Sequence, residues 1–438
     1  MKIYYIEEDI LKYLLSYVET YCKTEIEAIS LNNCKTDEIE NSEKNLILIS
    51  STSLYDMNRT HEVLKKIKIQ FPETKIRIIL GGSMHYILNN EDFLNHYTQA
   101  SHICVGKGEE FLRTLIDKKV PKGVHFAEDF GNIKPYRINK KYRIEKEVKI
   151  TFNDNRCDWQ KCLFCHHQTR HVCPINTAEK IAEDVEYYIK ECNYKHFYFY
   201  DNNMNPHVLN KFLKILLEKG LNKYSPTFYL FGLRVDSQFE VLTEILEQWK
   251  PSPIVGGSWG LEFYDQEILD LYNKNTKLKQ IDNALAFFHK YGIANDAYLL
   301  LGLPGVNNKH IEHFKEFIDH KSYLVRDYRV SFFLLNPFIR MYEDKEKFKM
   351  HEKNYLTLQD FFLDKINAPK IRTIFKNFDS WDEDLGRYVD RGETLRKYFP
   401  ILKHKKMKFH PNMFLLDDHS CNLLTSLRLL GEKSEEKS

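Results

Sequence analysis

Three cysteines stand close together near the middle of this 438-residue chain, in the order Cys157-x4-Cys162-x2-Cys165. Thiolates spaced this tightly on one loop can ligate three irons of a [4Fe–4S] cluster, leaving the fourth iron open to a small molecule. The same sulfurs, completed by His166, His167 or His171, can instead form a tetrahedral zinc site. Spacing alone leaves both chemistries open. The other six cysteines, Cys22, Cys34, Cys104, Cys173, Cys192 and Cys421, are scattered, which argues against a disulfide framework. Cys173, followed by Pro174, reads as a helix-entry residue.

The elements around the triad say where it must sit. From 147 to 345, strand patterns at Val148–Phe152, Phe197–Tyr200, Phe228–Leu233, Ser258–Phe263, Ala297–Leu301 and Arg329–Leu334 alternate with amphipathic helices. Six such repeats predict a partial (β/α)6 barrel. Its chemistry belongs at the carboxyl ends of the strands, and the triad follows the first strand directly. Residues 1–125 also alternate: strands at Lys2–Ile6, Ile26–Leu31, Leu46–Ser50, Lys75–Leu80 and His102–Val105 surround helices such as Ile10–Lys23 and Thr60–Phe71. The continuous apolar run Leu46–Ser50 is of the buried parallel type. The expected fold is therefore α/β: an N-terminal doubly wound, Rossmann-like parallel sheet (1–125), a linker (126–146), the partial TIM-type barrel (147–345) and a mostly helical C-terminal region (346–438) that covers the barrel. In that last region Tyr355, Phe361, Phe362, Trp381, Tyr388 and Tyr398 are candidate core or pocket aromatics.

Charge and hydropathy exclude some classes. Lys and Arg number 64 against 62 for Asp and Glu, so no basic field points to nucleic acid. No window approaches 18 consecutive apolar residues, and the N-terminus reads as a strand followed by acids rather than a signal peptide. The expected location is the cytoplasm, and no membrane partner is expected.

Several segments from 147 to 340 resemble the radical S-adenosylmethionine (SAM) superfamily. The family pattern is C-x3-C-x-aromatic-C. Here Cys162-Leu163-Phe164-Cys165 keeps its second half, while the first spacing is one residue longer. Asp201-Asn202-Asn203 stands where the family contacts the SAM amine. Arg234, in Phe231-Gly232-Leu233-Arg234-Val235-Asp236, stands where a guanidinium pairs bidentately with the SAM carboxylate. Gly260-Leu261-Glu262-Phe263 resembles the "G-I-E-S" segment near the ribose or substrate, and Asn273-Lys274-Asn275-Thr276 the "K-x-x-T" turn. Leu301-Gly302-Leu303-Pro304-Gly305 resembles the "G-L-P-G" turn beside adenine, and Leu335-Asn336-Pro337-Phe338 the sixth-strand proline segment. Phe164 stands where a ring can stack on adenine. The resemblance implies a cluster held by Cys157, Cys162 and Cys165 and a SAM pocket of Phe164, Asp201, Asn202, Arg234, Glu262 and Gly302. Reductive SAM cleavage follows, fed by an electron donor such as flavodoxin or ferredoxin.

Two N-terminal segments resemble the cobalamin-binding domain that precedes many radical SAM domains. Ile78-Ile79-Leu80-Gly81-Gly82-Ser83 matches its "V-L-G-G", and Val105-Gly106-Lys107-Gly108-Glu109-Glu110 its "V-x-G-E-G-E", with Lys107 in place of the first glutamate. By resemblance Ser51, Ser53, Gly81, Gly82, Gly106 and Gly108 would cradle cobalamin. There is no D-x-H-x-x-G motif to supply a lower cobalt ligand, and His85 reads as a loop residue. The implied activity is methylation of an unactivated carbon, or phosphorus, of a small molecule or peptide. One alternative is a cobalamin-free radical SAM enzyme that cyclises or rearranges its substrate; another is a non-catalytic zinc module. Too few cysteines lie beyond the barrel for auxiliary clusters, and no strand-rich tail is expected.

Overall fold

The computed structural model describes residues 1–6, 9–31, 36–51, 54–82, 85, 90–131, 133–134, 136–139, 141–142, 148–152, 157–165, 176–333, 339–344, 346–352, 378–389, 397–402 and 407–409. The chain divides into two compact units, one over Met1–Glu145 and one that begins at Lys146.

In the first unit, strands β1 (Lys2–Tyr5), β2 (Glu27–Ser30), β3 (Leu46–Ser50), β4 (Arg77–Gly81), β5 (His102–Val105) and β6 (Gly123–Phe126) form one sheet in the order β2-β1-β3-β4-β5-β6. Every pairing is parallel. Helices α1 (Asp9–Tyr21), α2 (Leu54–Gln70), α3 (Asn90–His96) and α4 (Glu109–Asp117) make the crossovers. All five residues of β3 are buried, as an inner strand covered on both faces requires. The order reverses between β1 and β3, so the ligand crevice of such a sheet lies at the carboxyl ends there.

The stretch expected as a linker is part of this unit. It starts at the last residue of β6, and its described residues lie along α1 and α4. The Asn139 amide donates to Ser16 Oγ at 3.0 Å, Tyr142 donates to Glu19, and Tyr136 donates to Glu109 at 3.0 Å. The Tyr17 and Tyr136 rings meet edge to face at 4.9 Å.

The second unit holds a seven-stranded parallel sheet. Its strands are β7 (Val148–Ile150), β8 (His196–Tyr200), β9 (Thr227–Leu233), β10 (Ile254–Glu262), β11 (Ala294–Leu301), β12 (Asp327–Phe332) and, out of sequence, β16 (Met407–Phe409) beside β12. Outside it lie α5 (Ala178–Cys192), α6 (Pro206–Glu218), α7 (Thr243–Gln248), α8 (Gln266–Leu271), α9 (Leu278–Lys290) and α10 (Asn308–Lys321). The helix starts carry their own signals: Thr177, Asn205, Asp265 and Asn307 each accept backbone N–H bonds as N-caps. Period-2 patterning sorts each strand's side chains. Phe197, Phe199 and Phe228 are buried on the helix side: Phe199 and Phe228 each lie 5.3 Å from the Phe212 ring, and Phe197 stacks on Phe228 at 5.6 Å. Tyr198, Tyr200, Tyr229 and Phe231 point the other way.

The described residues of the C-terminal stretch depart from the helical expectation. After α11 (Arg340–Glu343), its described residues form β13 (Met350–Glu352), β14 (Phe378–Asp382) and β15 (Arg387–Val389), an antiparallel sheet, then a one-turn α12 (Phe399–Leu402) and β16. High aromatic and charge content reads as amphipathic helix, but Trp381 and Tyr388 are cross-strand partners whose rings meet at 5.3 Å. Tyr398 is a core residue. Tyr355, Phe361, Phe362, Leu335–Phe338 and Cys173 lie outside the described residues.

Candidate active site

The cysteine loop lies beyond the carboxyl end of β7 and is tied down from two sides. The Leu163 amide donates to the Tyr272 carbonyl at 3.1 Å, and the Met341 amide donates to the Leu163 carbonyl at 3.1 Å. Trp159 Nε1 donates to the Asn273 carbonyl at 2.7 Å, and Asn273 Nδ2 to the Lys161 carbonyl at 3.3 Å. Within the loop, the Cys165 amide donates to the Cys162 carbonyl at 3.2 Å. None of the three forms a disulfide, and Cys162 is buried.

Among the described residues, one trio of potential metal ligands, Asp265, Glu267 and His310, has its ligand atoms all within 4.8 Å of one another. The trio itself is a capping structure. His310 Nδ1 accepts the Asn307 amide at 3.1 Å, so its Nε2 carries the proton and faces Glu267 at 3.0 Å.

Around Cys162 two buried cations are held by two acids. Arg234, at the end of β9, makes a two-toothed pair with Asp236: Nε to Oδ1 at 2.9 Å and Nη2 to Oδ2 at 2.5 Å. Nη2 also donates to the Lys274 carbonyl at 3.3 Å. Lys274 is buried, 3.1 Å from Glu262 Oε1, with its ammonium 5.7 Å from the Phe164 ring centre. Burial pulls the Lys274 pKa down, but the charges of Glu262 and Cys162, together with the hydrogen bond to Glu262, leave it above its ordinary value. Burial pushes the Cys162 thiol up, and Lys274 and Arg234 pull against that shift. The two cations therefore favour thiolate at Cys162.

Strain and close packing collect here. Glu262 has φ +65°, and the register between β10 and β11 shifts between Gly260 and Glu262. A non-glycine residue in that region stores local strain, and here the bulge aims the Glu262 carboxylate at Lys274. Gly232 has φ +70°, and a Cβ on it would lie 2.1 Å from the Asp201 carbonyl oxygen. Asp201 is fully buried. Its carboxylate accepts from Thr151 Oγ1 at 2.7 Å and from the Phe152 amide at 3.1 and 3.2 Å. It is thus directed at the end of β7, where the cysteine loop begins, rather than at open space. Asn202 follows it, half-buried. Gly302 has φ +74° at the end of β11, and the Pro304 carbonyl accepts from Tyr272 Oη at 2.6 Å.

The strand ends thus bring Phe164, Arg234 and Glu262 around Cys162, and Tyr272 links the loop to the turn after Gly302. Arg234 is not a free fork awaiting a carboxylate, because Asp236 occupies it. Trp159, Tyr272 and Lys274 were not singled out as site residues. For Lys274 and Tyr272 the signal was available: a lysine in an Asn-Lys-Asn turn just after an apolar helix end, with both asparagines now at φ +55°.

The carboxyl edge of the N-terminal sheet is built differently. Gly82 has φ +100°, and a Cβ on it would lie 2.4 Å from the Ser51 carbonyl oxygen. The Ser51 amide donates to the Gly81 carbonyl at 2.8 Å. Ser51 Oγ is fully buried 2.7 Å from Thr60 Oγ1, so its hydroxyl is engaged inside the unit rather than offered outward. Ser53 lies outside the described residues. Gly106 has φ +111° at the end of β5, and Gly108 precedes α4, with Leu14 and Cys104 ordinary contacts for a Cβ there. His85 is buried against Asn90 Oδ1 at 2.8 Å, and burial lowers its pKa to about 4.

Residues 155–318 match the pattern described as Radical SAM superfamily. An uncharacterised protein of Methanocaldococcus jannaschii is 22% identical over 323 residues, which are 67% of this chain and 94% of that one. The structure of the radical SAM methyltransferase TsrM from Kitasatospora setae, with cobalamin and a [4Fe–4S] cluster bound, aligns over 100% of this chain and 99% of its own at a TM-score of 0.65 and 11% identity. The cobalamin-dependent radical SAM enzyme OxsB, with aqua-cobalamin and SAM bound, aligns over 98% of this chain and 71% of its own at a TM-score of 0.61 and 14% identity. At these identities the structural likeness speaks for the fold, while the sequence match covers the cysteine loop, Arg234, Glu262 and Gly302. Residues 155–318 thus carry the radical SAM superfamily pattern, in a chain whose fold is similar along nearly its whole length to those of TsrM and OxsB.

Proposed function

We propose that this enzyme holds a [4Fe–4S] cluster on Cys157, Cys162 and Cys165, binds SAM at the carboxyl ends of β8 to β11, and methylates an unactivated carbon, or phosphorus, of a small molecule or peptide with the help of cobalamin. The observation that carries the reading is the pinned cysteine loop beside Arg234, Lys274 and Glu262. When bound, the cluster supplies the electron for SAM cleavage and cobalamin carries a methyl group. The chain's own residues do the rest. Lys274 and Arg234 favour thiolate at Cys162. Asp201 fixes the end of β7, and with it the start of the cysteine loop. Arg234 positions the Lys274 turn through its carbonyl. Phe164, Asn202, Glu262 and the backbone at Gly302 are left to face SAM, and the tight packing here excludes water.

The N-terminal sheet supports the cobalamin part through two adjoining glycine turns, at Gly81-Gly82 and Gly106-x-Gly108. Ser51 contributes through its backbone against Gly82. No histidine serves as a cobalt ligand in this reading, since His85 is held inside by Asn90.

Anaerobic reconstitution tests both parts. Expected are about four irons per chain, SAM cleavage under reduction, and retention of hydroxocobalamin through gel filtration. Stoichiometric zinc without iron would overturn the cluster. Iron without retained cobalamin would favour the cobalamin-free enzyme that cyclises or rearranges its substrate.

A further inference from the structure

The concave face of the barrel sheet carries side chains that the cluster and SAM do not use. Tyr198 and Tyr229 stack with ring centres 5.1 Å apart and planes 11° apart. One step nearer the carboxyl ends, Tyr200 and Phe231 stack at 5.0 Å and 10°. Phe231 meets Tyr298 edge to face at 5.7 Å. Tyr200, adjoining Asp201, is 40% exposed. A solvent-facing tyrosine stacked on a phenylalanine offers one flat aromatic surface whose outer side is open.

Beside this wall lies a buried acid with two arginines. Asp296 is fully buried and accepts from Tyr229 Oη at 2.5 Å, from Arg326 Nε at 2.9 Å and Nη2 at 2.6 Å, and from Arg329 Nη2 at 3.1 Å. A carboxylate offers about four acceptor sites, so Asp296 is saturated. Arg329 has five N–H donors; among the described residues its bonds are the one to Asp296 and a long one to Tyr298 Oη at 3.4 Å. Asp327 adds a charge near Arg326 but makes no ion pair with Arg329 within 4.0 Å. The Arg329 guanidinium lies 5.7 Å from the Tyr298 ring, and its side chain is 37% exposed. It therefore presents planar N–H donors next to the aromatic wall after its own acid has been filled.

We propose that this face is the substrate surface and takes an aromatic carboxylate, with the ring laid on the outer face of Tyr200, which Phe231 backs, and the carboxylate on the remaining N–H groups of Arg329. Offset stacking suits the wall, and a guanidinium suits a planar oxyanion. The proposal rests on the reading that chemistry occurs at the strand ends just above. It specifies the substrate class, which that reading leaves open.

The test uses full-length, anaerobically reconstituted protein and equilibrium dialysis with three probes: indole-3-acetate, its neutral amide, and cyclohexylacetate. The acid should bind about tenfold or more tighter than the amide, and more tightly than cyclohexylacetate. Arg329→Gln should bring the acid-to-amide ratio to about one. Tyr200→Leu, at an exposed position that does not threaten folding, should weaken both indoles several-fold and leave their ratio intact. Equal binding of acid and amide, no binding of the acid at millimolar concentration, or an unchanged ratio in Arg329→Gln would overturn the proposal. Iron content is read on the same samples. A preparation that discriminates the probes but holds no iron would sink the cluster reading and spare this one; the converse result would do the reverse.

Discussion

The carboxyl edges of the two parallel sheets do similar topological work with different materials. In the barrel, side-chain charge dominates: two buried cations, Arg234 and Lys274, are matched by Asp236 and Glu262, and Glu262 is held at φ +65°. In the N-terminal sheet, backbone dominates: glycines at positive φ lie against Ser51, and the polar side chains nearby, Ser51 and His85, are engaged inward. The proposed ligands would account for the contrast. A charged cluster and a zwitterion need counter-charges fixed in a low dielectric. A large, mostly neutral cofactor needs close backbone approach, which glycine allows.

The strongest way to break the comparison is to remove the ligands of one edge. Cys157→Ala, Cys162→Ala or Cys165→Ala should each reduce iron from about four per chain to a residue and abolish SAM cleavage. Hydroxocobalamin retention should stay at the wild-type level, since the N-terminal edge shares no cysteine ligand. A Cys157→Ala protein with full iron and activity would remove the triad assignment and turn attention to Cys173.

Next in size are the two crowded glycines, one on each edge. Gly232→Ala drives a methyl into the Asp201 carbonyl, and Gly82→Ala drives one into Ser51, each also at positive φ. Both contacts are backbone on backbone, so neither can relax by rotating a side chain. Each substitution should cost about 3–5 kcal/mol in urea unfolding. The readouts should separate: Gly232→Ala lowers iron retention and SAM binding, and Gly82→Ala lowers cobalamin retention. If each variant lost both cofactors equally, the two edges would not be independent sites.

How much of this was legible beforehand depends on whether local sequence decides the feature. The six barrel strands and five of the six N-terminal ones were legible because apolar runs and helical periods are local signals. The sixth N-terminal strand, Gly123–Phe126, was hidden by its glycine and by flanking residues that read as a linker. The antiparallel C-terminal strands and β16 were missed because their pairing is non-local: Met407–Phe409 is a strand only because β12 offers an edge. At the site, residue types and order singled out the cysteines, Glu262 and Arg234 as candidates. The occupation of Arg234 by Asp236, the turning of Asp201 toward β7 and the burial of Lys274 depend on side-chain direction, which no spacing encodes.

A smaller effect distinguishes the edges by pH. His85 and His102 are buried in the N-terminal unit, and burial lowers both pKa values to about 4. An unfolded histidine takes up its proton near pH 6.5. Between those values the unfolded state binds more protons, so the stabilisation present above pH 6.5 is lost as pH falls toward 4. At pH 5 the loss is about 1–2 kcal/mol per histidine. Calorimetry at pH 7 and pH 5 checks it, and His102→Gln should remove roughly half of the dependence. An unchanged slope in that variant would show that other groups carry it.

The smallest effect concerns Arg234, where the two sides of the comparison come closest. If the guanidinium acts through Asp236 and the Lys274 carbonyl, it is a positioning residue, and the barrel edge is braced from within much as the glycine edge is. Arg234→Lys keeps the charge but loses the planar fork. It should cost about 1–2 kcal/mol of barrel stability, with SAM affinity falling only as far as iron content falls. Asp236→Asn should produce the same pattern more weakly, because the guanidinium keeps its bond to the Lys274 carbonyl. A drop in SAM affinity of about tenfold at full iron content in Arg234→Lys would point elsewhere. It would mean that the fork leaves Asp236 for the SAM carboxylate on binding, and that Asp236 serves as its resting partner.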